Sequence, residues 1–68
     1  MALSARNLLK GKVKEVTKGM VMAEVTIEVA PGVDVVSAIT TSSVERLGLA
    51  TGKEVEVVIK ATSVMLNA

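Results

Sequence analysis

The sequence predicts an all-β domain, a small five-stranded barrel with one short helix. Three observations carry that expectation. Apolar and polar residues alternate with a period of two over most of the chain, only one short segment has a helix-start signal, and turn residues punctuate the alternation. Half of the 68 residues are hydrophobic, yet there is no Phe, Tyr or Trp; the apolar mass is 13 Val, 8 Ala, 6 Leu, 4 Met and 3 Ile.

The first strand is read from Leu9, Gly11 and Val13 alternating with Lys10, Lys12 and Lys14, a basic face that reads as solvated. A long strand follows over residues 19–29. Val21, Ala23, Val25, Ile27 and Val29 share one face, and Met20, Met22, Glu24, Thr26 and Glu28 the other. The two methionines imply that this end of the second face is covered as well, by another subunit or as gap-filling core. Ala30-Pro31-Gly32 is a turn, because Pro presets φ and Gly takes the left-handed position. Val33–Thr40 resumes as a strand with two mostly apolar faces, as a strand covered on both sides would have.

The helix signal is Ser42-Ser43-Val44-Glu45, which fits a capping box, with Gly48 placed to stop the helix after Leu47. Thr51-Gly52-Lys53 turns the chain into a strand over residues 54–61, and residues 63–66 form a last short strand. The expected order is β-β-β-short helix-β-β. A closed or nearly closed barrel of the OB type suits it, since closure removes exposed edges. No linker, repeat or low-complexity stretch divides residues 1–68, so one domain is expected.

Composition narrows the function. A core this small supplies about 3–5 kcal/mol at best. With no Cys and no His, disulfides are impossible and a structural zinc site is disfavoured, which leaves association with other chains. A mean hydropathy of +0.55 points the same way. The missing His and Cys also remove the commonest general base and the most reactive nucleophile, so a binding protein is expected rather than an enzyme. A net charge of +1 and the absence of aromatic stacking platforms argue against nucleic acid. No apolar run reaches the ~20 residues of a membrane span and no secretory segment follows Met1, so a cytoplasmic protein is expected.

Three donor-rich places remain. Ser4-Ala5-Arg6-Asn7 packs three polar side chains just before the first strand. Thr40-Thr41-Ser42-Ser43 sets four hydroxyls at a strand-to-helix junction, where capping is the plain explanation. Lys60 interrupts the apolar run Val57-Val58-Ile59 and Ala61, and snorkelling from an edge strand is its plain explanation. Together they offer cations, hydroxyls and backbone amides, with no carboxylate in the first two clusters. That chemistry suits a small, fully deprotonated oxyanion.

At these residues the sequence resembles the molybdenum-pterin-binding proteins, or molbindins, of the Mop family. Ser4-Ala5-Arg6-Asn7 followed by Leu9-Lys10-Gly11-Lys12-Val13 looks like the opening motif. Ala38-Ile39-Thr40 through Ser43 and then Arg46-Leu47-Gly48-Leu49 resembles the middle block, and Val58-Ile59-Lys60-Ala61-Thr62-Ser63-Val64-Met65 the closing signature. The resemblance implies a stand-alone single module with an OB-like fold that binds and stores molybdate or tungstate, without an organic cofactor. It also implies a homohexamer, three dimers around a threefold axis, with the anions held between subunits. Ser4, Arg6, Lys60 and Ala61 would come from one chain and Thr40 and Ser43 from its neighbour, no side chain ligating the metal directly. Ala61 stands where some relatives have Ser, so its contact would be through the main-chain N–H. Leu8 stands where a Gln is frequent.

A tetrahedral dianion has only acceptor lone pairs, so such a site should discriminate by proton count and by size. Hydrogen phosphate needs an acceptor and should be rejected; sulfate should be disfavoured by its smaller size. The alternatives are an OB-like nucleic-acid-binding module and a purely structural assembly module.

Overall fold

One long strand organises the molecule. β1 (Asn7–Lys18) pairs antiparallel with β4 (Glu54–Ile59) along its first half and with β2 (Met22–Ala30) along its second, while β3 (Val33–Thr40) pairs antiparallel with β2. The sheet order is β3-β2-β1-β4. Among the described residues the single α-helix, α1 (Thr41–Leu47), joins β3 to β4, and a 3₁₀ turn (Ala61–Ser63) follows β4. The computed structural model describes residues 3–68; residues 1–2, the start of the expected 1–68 domain, lie outside the described residues.

β1 changes partner at Lys12, which stands opposite Glu28 on one side and Glu54 on the other, while Lys10 faces Glu56. The basic face is thus charge-balanced across the sheet, in keeping with a solvated surface. Val13 pairs with Ile27 and Glu15 with Thr26, which leaves Lys14 as a bulge. The extra residue flips the side-chain parity. After the buried Val13 it is therefore Val16, and not Glu15, that packs next on the core. Gly11 lies where β1 presses against β2: a Cβ there would sit 2.6 Å from Ile27 Cγ2 and 2.7 Å from the Glu28 carbonyl oxygen.

Val13, Ala23, Val25, Ile27 and Val44 form the buried core, with Val16, Val29, Ile39, Leu49, Val55 and Val57 packed around it. Val44 is the buried residue of α1 and pins the helix over the sheet. The helix ends at Gly48 (φ 64°), whose N–H donates to the Glu45 carbonyl at 3.1 Å while that of Leu49 donates to the Val44 carbonyl at 3.0 Å. This is a Schellman stop, with Leu49 folded back toward Val44 in the core.

Several expectations are corrected. The described sheet has four strands, not five, and it is open: a groove of about 190 Å³ lined by Val25, Ile39, Leu47 and Val57 remains between β3 and β4. Residues 63–66 are not a strand; Val64 has extended backbone (φ −92°, ψ 119°) but pairs with nothing among the described residues, and a strand needs a partner. β2 begins at Met22 rather than residue 19, because the Gly19 N–H bonds to the Met22 carbonyl at 2.8 Å and closes a tight turn. Met20 is 99% exposed, so it does not fill the core of this chain. β3 is covered on one side only: Val35, Ser37 and Ile39 are half-buried, whereas Val36 and Ala38 on the other face are exposed. β4 stops at Ile59, so Lys60 and Ala61 lie beyond it. The helix cap is Thr40, not Ser42: Thr40 Oγ1 accepts the Ser43 N–H at 3.1 Å. The Thr41 N–H and hydroxyl bond to the carbonyls of Val21 and Gly19, both at 2.8 Å, and thereby set where the helix begins.

Candidate functional site

The six residues expected to bind an oxyanion fall into two groups. Asn7 pairs with Ile59 at the outer end of the β1–β4 ladder, and its Nδ2 donates to the Ile59 carbonyl at 3.2 Å. Arg6 and Lys60 are each one residue beyond that pair, so the antiparallel register places both at this end of the sheet. Ser4 precedes Arg6 and is exposed; Ala61 opens the 3₁₀ turn. That turn is closed by Ser63 N–H to Lys60 O (2.9 Å) and Val64 N–H to Ala61 O (3.3 Å), neither of which uses the Ala61 N–H. As in any helical turn, the first amides point outward without an internal acceptor. Among the described residues, the side chains of Ser4, Arg6 and Lys60 make no hydrogen bond or ion pair. Among the described residues, this end is a set of donors and two cations without partners.

The second group is Thr40 and Ser43, where β3 runs into α1. Thr40 Oγ1 donates to Ser43 Oγ at 2.8 Å, accepts the Ser43 N–H, and lies 3.3 Å from Ser42 Oγ. Arg46 Nη2 donates to Ser43 Oγ at 3.3 Å. Sequence reasoning did not assign Arg46 or Ser42 to the site. The available signal was spacing: Ser43 and Arg46 are three apart, which puts them on one helix face.

The two groups flank opposite ends of β1. Thr40 pairs with Met22, which follows the turn after Lys18, whereas Arg6 precedes Asn7. No hydrogen bond among the described residues joins them. Exposed apolar residues adjoin each: Met20, Val21 and Met22 at the hydroxyl end, and Leu8, Val58, Val64, Met65 and Leu66 at the cation end, with Met65 and Leu66 92% and 94% exposed. Among the described residues no acidic cluster is arranged to hold a metal ion directly.

Known proteins match this chain along its length. The TOBE domain family matches residues 3–66. Molybdenum-pterin-binding protein 3 of Clostridium pasteurianum is 53% identical over 68 residues, 100% of both chains. A solved molybdate-binding protein from Sporomusa ovata superimposes with a TM-score of 0.93 at 40% identity, again covering 100% of each chain. The cytoplasmic molybdate-binding protein ModG, solved with molybdate bound, gives a TM-score of 0.86 at 44% identity over 90% of this chain and 43% of its own. The chain belongs to the family of molybdenum-pterin-binding proteins and carries their TOBE domain.

Proposed function

We propose that this protein binds molybdate, and tungstate by the same contacts, between copies of the chain in a homo-oligomer, and so stores the anion in the cytoplasm. It is a binding protein, not an enzyme, in keeping with the molybdate-binding relatives. Arg6 and Lys60 balance the two negative charges, while Ser4 Oγ and the Ala61 N–H donate from the same chain. Thr40 and Ser43 supply the hydroxyl side from a neighbouring chain. Charge-assisted hydrogen bonds of this kind are roughly twice as strong as neutral ones, and exclusion of water at an interface strengthens them further.

The observation that carries the reading is the pairing of half-sites with apolar surface. Each donor group is incomplete for a tetrahedral anion, and each is bordered by exposed Val, Leu or Met that a monomer of this size has no reason to leave in water. Joining the cation end of one copy to the hydroxyl end of another covers both patches and completes the site. The unpaired edges of β3 and β4 and the groove between them give the neighbour further surface to cover, so that the open sheet becomes part of an OB-like barrel within the oligomer. A hexamer made of three dimers is the assembly we propose.

Calorimetric titration with molybdate, tungstate and sulfate, combined with native mass spectrometry, tests the proposal. Molybdate and tungstate should bind almost equally, sulfate more weakly, and the anions should appear only on oligomers. A monomer that takes up molybdate, or sulfate bound as tightly as molybdate, would overturn it.

A further inference from the structure

We infer that Arg46 is the residue that makes the hydroxyl half-site a one-way donor, and that Ser43 rather than Thr40 gives the anion its hydrogen. The inference rests on the oxyanion reading above and assigns its specificity to a residue that does not touch the ligand.

A serine or threonine hydroxyl carries one hydrogen and two acceptor lone pairs, so in isolation it accepts as readily as it donates. Left free, such a group would welcome the proton of hydrogen phosphate and would not discriminate against it. The network at the start of α1 removes that freedom. Thr40 Oγ1 commits its hydrogen to Ser43 Oγ at 2.8 Å and accepts the Ser43 N–H at 3.1 Å. With its hydrogen spent there, the 3.3 Å contact with Ser42 Oγ has Ser42 as donor and fills the remaining lone pair. Thr40 is saturated.

Ser43 Oγ receives Thr40 on one lone pair and Arg46 Nη2, at 3.3 Å, on the other. Both of its acceptor positions are occupied and its own hydrogen is the one left over. That hydrogen can only be given away. A fully deprotonated oxyanion accepts it; an oxyanion that arrives with a proton on the facing oxygen meets hydrogen against hydrogen. The Arg46 guanidinium has donors only and no acceptor atom, so it can only fill a lone pair of Ser43. It is a positioning residue, acting through Ser43, and its cationic charge adds to the attraction for a dianion.

The test is calorimetric titration of the full chain with molybdate and, separately, with inorganic phosphate, in the wild type, R46A and R46K, with circular dichroism to confirm the fold of each. Arg46 is exposed, so the variants should fold. In R46A the empty lone pair on Ser43 Oγ can accept the phosphate proton, and the ratio of molybdate to phosphate affinity should fall by about fivefold or more. R46K, which restores a cationic donor at the same position, should keep the ratio close to the wild-type value. A ratio unchanged in R46A, or lowered equally in R46A and R46K, overturns the inference while leaving the binding reading intact. A wild-type chain that takes up no molybdate overturns both.

Discussion

In the function proposed above, the two ends of β1 meet the same anion in opposite ways. At the hydroxyl end, Thr40, Ser42, Ser43 and Arg46 are bonded to one another before any ligand arrives. At the cation end, Ser4, Arg6 and Lys60 hold on to nothing among the described residues, and only the backbone beneath them is fixed, through the Asn7–Ile59 pair. One end is preorganised and contributes to the stability of the chain; the other is without partners among the described residues and, in the function proposed above, contributes only once an anion gathers it. Hydroxyls are short and can be fixed cheaply by a cap, whereas long cationic side chains lose much rotamer freedom when ordered, a cost best met by the ligand itself.

Substitutions can break or sharpen this contrast. The largest effect should come from the strand that separates the ends. Gly11→Ala places a methyl group 2.6 Å from Ile27 Cγ2 and 2.7 Å from a carbonyl oxygen, and backbone cannot yield as a side-chain tip can. Thermal denaturation should show a loss of about 2–3 kcal/mol, in the upper part of the range for overpacked interiors. For so small a core that is most of the stability, and both ends fail together.

At the cation end, Arg6→Ala and Lys60→Ala should each weaken molybdate binding by about 1.5–3 kcal/mol, the range for hydrogen bonds to charged groups. The melting temperature of the ligand-free protein should scarcely move, because neither side chain has a partner to lose among the described residues. Calorimetry and thermal melting on the same samples check the two halves of that statement. At the hydroxyl end the pattern should differ. Thr40→Ala removes the helix cap and should cost about 1 kcal/mol of stability without ligand, as well as weakening the anion through Ser43. Ser42→Ala should cost clearly less, since Ser42 lies inside the helix and does not cap it.

The smallest effect is expected at the Lys14–Asp34 ion pair, which lies on the exposed sheet surface (2.9 Å) away from both half-sites. The hydrogen bond and charge of Asp34 raise the Lys14 pKa above the ordinary lysine value of 10.5. A raised lysine pKa stabilises the fold below the unfolded value and is lost as pH climbs through the folded one. Melting curves of wild type and Asp34→Asn should therefore differ slightly and by a constant amount from neutral pH up to about 10, the difference closing in strong alkali as Lys14 loses its proton.

Most strands could be read from the sequence because burial on one face writes a period of two into it, as in Ala23, Val25 and Ile27. The misreadings share a cause: they occur where a distant part of the chain decides a local question. The bulge at Lys14 breaks the parity, so the alternation reads as if β1 stopped there rather than running on to Lys18. Residues 63–66 have strand-like composition, but no neighbouring strand is available to them within the described chain. Four successive hydroxyls from Thr40 to Ser43 all satisfy a capping rule, and the choice falls to Thr41, whose bonds to Gly19 and Val21 fix the start of the helix. The proposed site was legible to the extent that its donors are short sequence clusters. That Arg6 and Lys60 lie at the same end of the sheet follows from strand register, and that Arg46 belongs with Ser43 follows from helix geometry; neither is visible in a list of residue types.

The central claim is that each anion is held by two copies of the chain, and subunit mixing tests it most directly. The double variant R6A/K60A lacks the cation end and S43A lacks the key hydroxyl, so each alone should bind molybdate poorly. Unfolded together and refolded as a mixture, they should form oligomers in which an intact cation end from one chain meets an intact hydroxyl end from the other. Calorimetry should then find a minority of sites with wild-type affinity that neither variant shows alone. Mixed oligomers, confirmed by native mass spectrometry, that recover no such sites would contradict the account.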